Sequence, residues 1–158
     1  MFRPIRKKKN EISIDAAKEL LRTSRRGVLA VNGDDGYPYG IPINYLYDEA
    51  NEKIIFHGAK AGHKVDALQK NDKICFTVFG NERIKEEAWA PFLQSVVVFG
   101  RCHLVKNPED TIALVKKFAA KYYPDMDMVN EEAAQFGRAV QMFEIQIEHL
   151  SGKEVQER

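Results

Sequence analysis

The residues best suited to chemistry lie close together, in Phe56-His57-Gly58-Ala59-Lys60-Ala61-Gly62-His63-Lys64. An apolar run ending at His57 reads as a strand, and two glycines then bracket small residues. A helix follows, with His63 and Lys64 in its first turn. Cations are the wrong sign for a helix N-terminus, whose dipole favours negative charge. Lys60, His63 and Lys64 gathered there make sense if an anion occupies the site. Free backbone N–H groups, small residues that allow close approach and a lysine to neutralise charge make a phosphate cradle. A solvated loop that is merely basic would show the same residues.

Two further segments give weaker signals. In Gly40-Ile41-Pro42-Ile43-Asn44 the proline lacks an N–H, which leaves neighbouring backbone groups free to bond something other than a strand. A planar ring with donors and acceptors on its edge suits that gap; an ordinary edge-strand proline is the plainer explanation. Gln94-Ser95-Val96-Val97-Val98-Phe99-Gly100-Arg101 is first of all a core strand, with a polar pair at its start that is able to meet a ligand. Trp89 and Phe92, just before it, either cover a flat ligand or pack a loop onto the barrel. There is no GxGxxG, Walker lysine loop, HExxH or GxSxG. The four histidines, His57, His63, His103 and His149, do not pair at metal-ligand spacing on one helix, so no metal is expected.

The elements that must position these residues follow from periodicity. Ser13 caps a short helix with Asp15 in its first turn, Ile14, Ala17 and Leu21 as its stripe, and Gly27 as its stop. The period then changes to two. Val28–Val31 is a strand, Gly33–Gly36 a turn, and Tyr37–Tyr47 a second strand with alternate tyrosines and isoleucines on one face. Its two prolines place it at an edge or opening of the sheet. Ile54–His57 makes a third strand, a helix covers Ala61–Lys70, Ile74–Phe79 is a fourth strand, and Gln94–Val105 a long fifth. Asn107-Pro108-Glu109-Asp110 starts a helix whose stripe runs through Ile112, Val115, Phe118 and Tyr122 to Pro124. A helix over residues 131–138 leads to a last strand around Phe143, Ile145 and Ile147. Six mostly hairpin-connected strands with peripheral helices predict an α+β, mainly β antiparallel barrel.

Composition narrows the class. The 158 residues are 44% hydrophobic and 30% charged, ordinary globular values for one domain. A net charge of +1 leaves no broad basic face for nucleic acid; the exception is the arm of residues 1–12, with Arg3, Arg6, Lys7, Lys8 and Lys9, read as solvated or partner-facing. Cys75 and Cys102 have no CxxC spacing and read as small core residues. With neither a signal-peptide pattern nor a long apolar span, the cytoplasm is the expected compartment and no membrane partner is expected.

Taken in order, these segments resemble the FMN-binding split-barrel family related to pyridoxamine 5′-phosphate oxidase, and within it the nitroimidazole-resistance, or nitroimidazole reductase-type, branch. The resemblance runs from Met1-Phe2-Arg3 through Gly27–Ala30, Gly33–Tyr39, Pro42–Tyr45, His57–Lys64 and Ser95–Arg101 to Ile147–Lys153. It implies a Greek-key split barrel of six strands that works as a homodimer, with FMN in clefts at the subunit interface. It further implies that Ile41, Pro42, Ile43 and Asn44 bond the isoalloxazine edge and that His57, Gly58 and Ala59 run along the ribityl chain. His63 and Lys64 would hold the phosphate, while Ser95 and Val96 approach the same flavin. In that branch a histidine matching His57 lies beside the flavin, which implies either a proton-donor role or a cofactor contact only. The function implied is an FMN-dependent oxidoreductase passing electrons to a small aromatic or nitro compound; the alternative is a flavin- or haem-binding protein without turnover. Pyridoxamine phosphate itself would need a second cationic clamp, for which only Arg101 and Arg138 offer loose candidates, so vitamin B6 oxidation is a poorer match than a general flavin reductase.

Overall fold

Alternating inward and outward residues carry the chain through seven antiparallel strands, with four helices set outside them. The computed structural model describes residues 1–137 and 139–157. In chain order the elements are α1 (Ile14–Thr23), β1 (Arg26–Asn32), β2 (Pro38–Asn44), β3 (Leu46–Asp48), β4 (Lys53–Gly58), α2 (His63–Lys70), β5 (Lys73–Arg83), β6 (Phe92–Leu104), α3 (Pro108–Ala119), α4 (Met126–Phe136) and β7 (Gln141–Gln156). They form one sheet in the order β2-β1-β5-β6-β7-β4-β3. The two edge strands, β2 and β3, are separated by Tyr45 alone, so the sheet must curl back on itself. The mainly-β split barrel read from the sequence is the fold observed, with one strand more than expected.

The additional strand arises at Tyr45, where the expected strand over residues 37–47 breaks. Tyr45 is fully buried. Its N–H donates to the Tyr122 hydroxyl at 2.9 Å, and its carbonyl accepts from that hydroxyl at 2.6 Å and from the Lys121 ammonium at 2.9 Å. A backbone satisfied from the end of α3 needs no strand neighbour, so the ladder is interrupted there. The Tyr45 hydroxyl donates to the Leu21 carbonyl at 2.5 Å, tying α1 to the same point.

The barrel interior is filled by Leu20, Leu21, Leu29, Ile54, Phe56, Phe76, Val78, Val96, Val98, Phe143 and Ile145, all at most 2% exposed. A second cluster forms outside the barrel, where Ile55, Leu46, Met142 and Val140 meet Val115 and Phe118 of α3 and Ala133 of α4. The caps agree with the sequence reading: the Ser13 hydroxyl accepts from the Ala16 N–H, and the Asn107 side chain accepts from Glu109 and Asp110.

Several local expectations require correction. Gly27 does not stop α1; the helix ends at Thr23 and Gly27 lies within β1, opposite Ile43, where any Cβ would collide with the Phe76 ring. Ile14 is exposed and Leu20 takes its place in the stripe, because the helix turns its Ala17-Leu20-Leu21 face inward. The last helix begins earlier than predicted, at Met126, since the Asp125 carboxylate accepts from the Met128 N–H and caps it; Arg138, the expected end, lies outside the described residues. The final strand runs to Gln156, because β6 pairs along nearly its whole length. A bulge between Phe99 and Gly100 resets that register, and Gly100 has no room for a Cβ against the Gln146 carbonyl.

Two consequences are measurable. Tyr45→Phe removes the donor to Leu21 and should lower unfolding free energy by about 1–2 kcal/mol in denaturant titration, without loss of strand signal. At the far end of the sheet burial opposes the charge of Glu154, but hydrogen bonds from Arg83, Lys85 and Gln94 outweigh it and hold the carboxyl at about 2. A depressed carboxyl stabilises the fold above its unfolded value of about 4.3 and loses that contribution as pH falls towards 2. Glu154→Gln should therefore be less stable than the parent at pH 7, and the difference should shrink below about pH 4 and close only near pH 2.

Candidate functional site

The segment singled out for an anion joins the end of β4 to α2. Gly62 caps α2 with φ of +127°, the left-handed region that favours glycine, and no side chain accepts from the helix's first N–H groups. The basic side chains divide around them. The His63 ring stacks on Tyr39 at 4.2 Å and its Nε2 lies 3.5 Å from an Asp34 carboxylate oxygen, so it links α2 to β2. Lys64 turns the other way, over Gly58, with its ammonium 5.4 and 5.2 Å from the centres of the Phe56 and Phe143 rings. It has no hydrogen-bond or ion-pair partner among the described residues, and burial lowers its pKa.

His57 stands on the outer face of β4, one residue beyond Phe56. Its ring meets Phe118 of α3 edge-on at 4.9 Å. Burial against that helix lowers its pKa; the nearby Lys64 charge lowers it further, and Glu132 pulls weakly the other way. The imidazole is therefore neutral at pH 7, with one nitrogen able to accept a proton and the other carrying one.

Beside His57 lies a cavity of about 230 Å³ between the outer surface of the barrel and the two helices α3 and α4. Asn44 and His57 contribute from the strands, Phe118, Tyr122 and Tyr123 from the end of α3 and the loop beyond it, Glu132 from α4, and Arg25 from the α1–β1 junction. The Arg25 guanidinium lies 5.0 Å from the centre of the Tyr122 ring and has no ion pair among the described residues. Asn44's side-chain amide likewise has no hydrogen-bond partner among them.

The opposite outer surface of the sheet is apolar and open. Pro42, Val28, Thr77, Val97 and Ser151 stand side by side across five strands, and Gly40, Ala30, Cys75, Phe99 and His149 form the next row. Phe79 is 64% exposed on this face, next to Ser95, and Phe2 of the basic arm stacks on Phe99 and His149. Of the residues chosen from the sequence, Pro42 and Ser95 face this surface. Asn44 and His57 sit where it meets the cavity, and Gly58, Ala59 and Lys64 lie at the end of β4. Ile43 and Val96 point into the core, so only their backbone is open to a ligand. Ile41 is half-buried between these groups.

The sequence reading did not find Arg25, Tyr123 or Glu132, and it treated Phe118 and Tyr122 only as a helix stripe. The available signal was the Tyr122-Tyr123 pair at the end of α3, more aromatic surface than a short amphipathic helix needs. Of the two loose candidates for a second cationic clamp, Arg101 is held by Asp72 at 2.8 Å and Glu148 at 2.9 Å, and Arg138 is outside the described residues.

No curated protein sequence matches the chain. Among solved structures it is similar to a protein described as a candidate 5-nitroimidazole antibiotic resistance protein from Bacteroides thetaiotaomicron (TM-score 0.78, 17% identity, 92% of this chain and 87% of that one). It is also similar to a FAD-binding protein from Mesorhizobium loti (0.63, 22%, 92% and 96%) and to a flavocytochrome from Azotobacter vinelandii (0.72, 18%, 95% and 71%). At these identities the likeness is one of fold. Among the described residues, no helix is long and apolar enough to cross a membrane. The family model described as pyridoxamine 5′-phosphate oxidase matches residues 13–154, and the chain belongs to that flavin-associated, oxidoreductase-type family.

Proposed function

We propose that this protein is an FMN-dependent oxidoreductase that passes electrons to a small aromatic or nitro compound, and that it acts as a cytoplasmic homodimer joined through the open apolar face of the sheet. The observation that carries the reading is the convergence at the end of β4. There a helix start without a side-chain cap, a half-buried ammonium and an Asn44 amide that both lack a partner among the described residues, and a neutral imidazole surround one edge of the barrel.

These residues fit a phosphorylated flavin. The α2 N–H groups, the Lys64 ammonium and the His63 imidazole suit the phosphate. Gly58 and Ala59 present backbone without bulk, and Ile41–Asn44 offer edge-strand groups to a planar ring, Ile43 through its backbone alone. Ser95 lies on the apolar face, so a partner subunit packed there would bring its own surface to the same ligand. When bound, FMN supplies the electron transfer, while the protein contributes orientation and hydrogen bonds. His57, neutral at rest, can take up a proton from solvent and deliver it to a reduced oxygen of the acceptor. Lys64 binds a part of the ligand that does not react, so it contributes affinity and nothing specific to the transition state.

The visible spectrum of the purified protein tests this directly. Bands near roughly 370 and 450 nm that survive dialysis, from a species of dimer size, are expected. A colourless protein that takes up no added FMN overturns the reading. Bleaching by NADH or NADPH, reversed by a nitroaromatic acceptor, separates turnover from simple binding. Lys64→Ala should lose FMN on gel filtration while keeping its fold. In the flavin-free protein the His57 imidazole should titrate below about 6.5 by NMR, and Lys64→Met should move it back up. Because the folded state resists that proton, this group's share of stability is present above the unfolded value and declines as pH falls through it.

A further inference from the structure

The cavity under α3 and α4 is too small for a three-ring flavin with its phosphate tail. Pockets that hold drug-sized ligands measure about 300–1,000 Å³, and an apolar cavity of about 150 Å³ holds benzene. At about 230 Å³ this one admits a single ring with one or two substituents. Its walls suit such a ring: Phe118 and Tyr122 lie 4.9 Å apart at an angle of 30°, with Met142 and Val115 as apolar lining.

Two charged groups line it, Arg25 and Glu132. Arg25 rests on the Tyr122 ring with no carboxylate to pair with among the described residues. Lys121, one residue away, is held against the rings of Tyr45 and Tyr122, at 4.3 and 5.5 Å. Burial and then the Arg25 charge lower its pKa to about 8. The acid in the lining, Glu132, lies on α4 against Tyr123, whose pKa is raised by burial and then by that carboxylate. A guanidinium backed by an aromatic face, in a lining that also holds an amide without a partner among the described residues, is arranged for a planar anion held bidentately.

We propose that this cavity binds a single-ring aromatic carboxylate, with its ring packed against Phe118 and Tyr122 and its carboxylate on Arg25. Asn44 and His57 line this cavity and also border the proposed flavin site, so the bound ring lies beside the flavin. That neighbourhood rests on the flavin reading, whereas the binding itself does not.

Calorimetric titration of the flavin-free protein with benzoate, and with neutral benzamide as control, tests the proposal. Benzoate should bind, and benzamide about tenfold to a hundredfold more weakly, the range expected for one charge-assisted hydrogen-bonded pair. Arg25→Gln should weaken benzoate by the same factor and leave benzamide, the melting temperature and FMN uptake unchanged; Arg25→Lys should fall between. Arg25 is exposed, and the hydrogen bond from the Tyr122 hydroxyl goes to its backbone carbonyl, which the substitutions leave in place, so these variants keep the fold. Equal binding of benzoate and benzamide, no benzoate binding, or full benzoate affinity in Arg25→Gln overturns the proposal. A protein that takes benzoate but no FMN retains this site and loses the flavin reading; one that takes FMN but no benzoate does the reverse.

Discussion

The structure depends on how one buried residue, Tyr45, satisfies its backbone. A sheet that curls until its two edge strands are successive in sequence must turn sharply between them, and a sharp turn in the interior strands an N–H and a carbonyl. Leaving either unpaired would cost about 1–3 kcal/mol. The hydroxyl of Tyr122 and the ammonium of Lys121 answer both groups, and the same hydroxyl reaches the Arg25 carbonyl at 2.7 Å. The end of α3 is therefore fixed to the barrel, and with it the helices that roof the cavity. Lys121 makes a second bond to the Ser24 carbonyl at 2.6 Å, which fastens the α1–β1 junction to the same place.

That arrangement gives the outside of the barrel two kinds of surface. One half, over β3, β4 and the start of β7, is covered by α3 and α4 and keeps a small void. The other half, over β2, β1, β5 and β6, stays open and apolar. The residues with chemical capacity gather at the border between them, because β2 and β4 both end there and α2 begins there. Catalytic and binding groups on strand ends are held by the rigid ladder behind them, while the neighbouring loops and helices decide what reaches them. The family relationship accounts for the barrel; the character of the cavity comes from this chain's own helices.

Much of this was legible in the sequence because it depends on local rules. The caps at Ser13 and Asn107, the proline-marked edge strand, and the glycine-bracketed start of α2 each follow from the chemistry of a few adjacent residues. The break at Tyr45 was not legible. It depends on a contact with Tyr122, 77 residues away, and nothing in the alternating tyrosines and isoleucines of residues 37–47 announces it. Gly27 misled for a related reason: a glycine after a helix usually ends it, but here the missing Cβ makes room for the ring of Phe76. Within the site, the segment over residues 57–64 was singled out because the sign of its charges at a helix start is visible in a few adjacent residues. Arg25 was missed because a basic residue at the end of an amphipathic helix has an ordinary explanation in the helix dipole. Only the tertiary placement of Tyr122 beneath it gives it another.

The long pairing of β5 and β6 carries their connecting loop away from the barrel, and Trp89, the chain's sole tryptophan, is 79% exposed on it. The indole is thus an intrinsic optical probe placed outside the core. Its emission reports whatever comes to cover that loop and is nearly blind to the packing of the barrel, so tryptophan fluorescence in this protein reads association more directly than it reads unfolding.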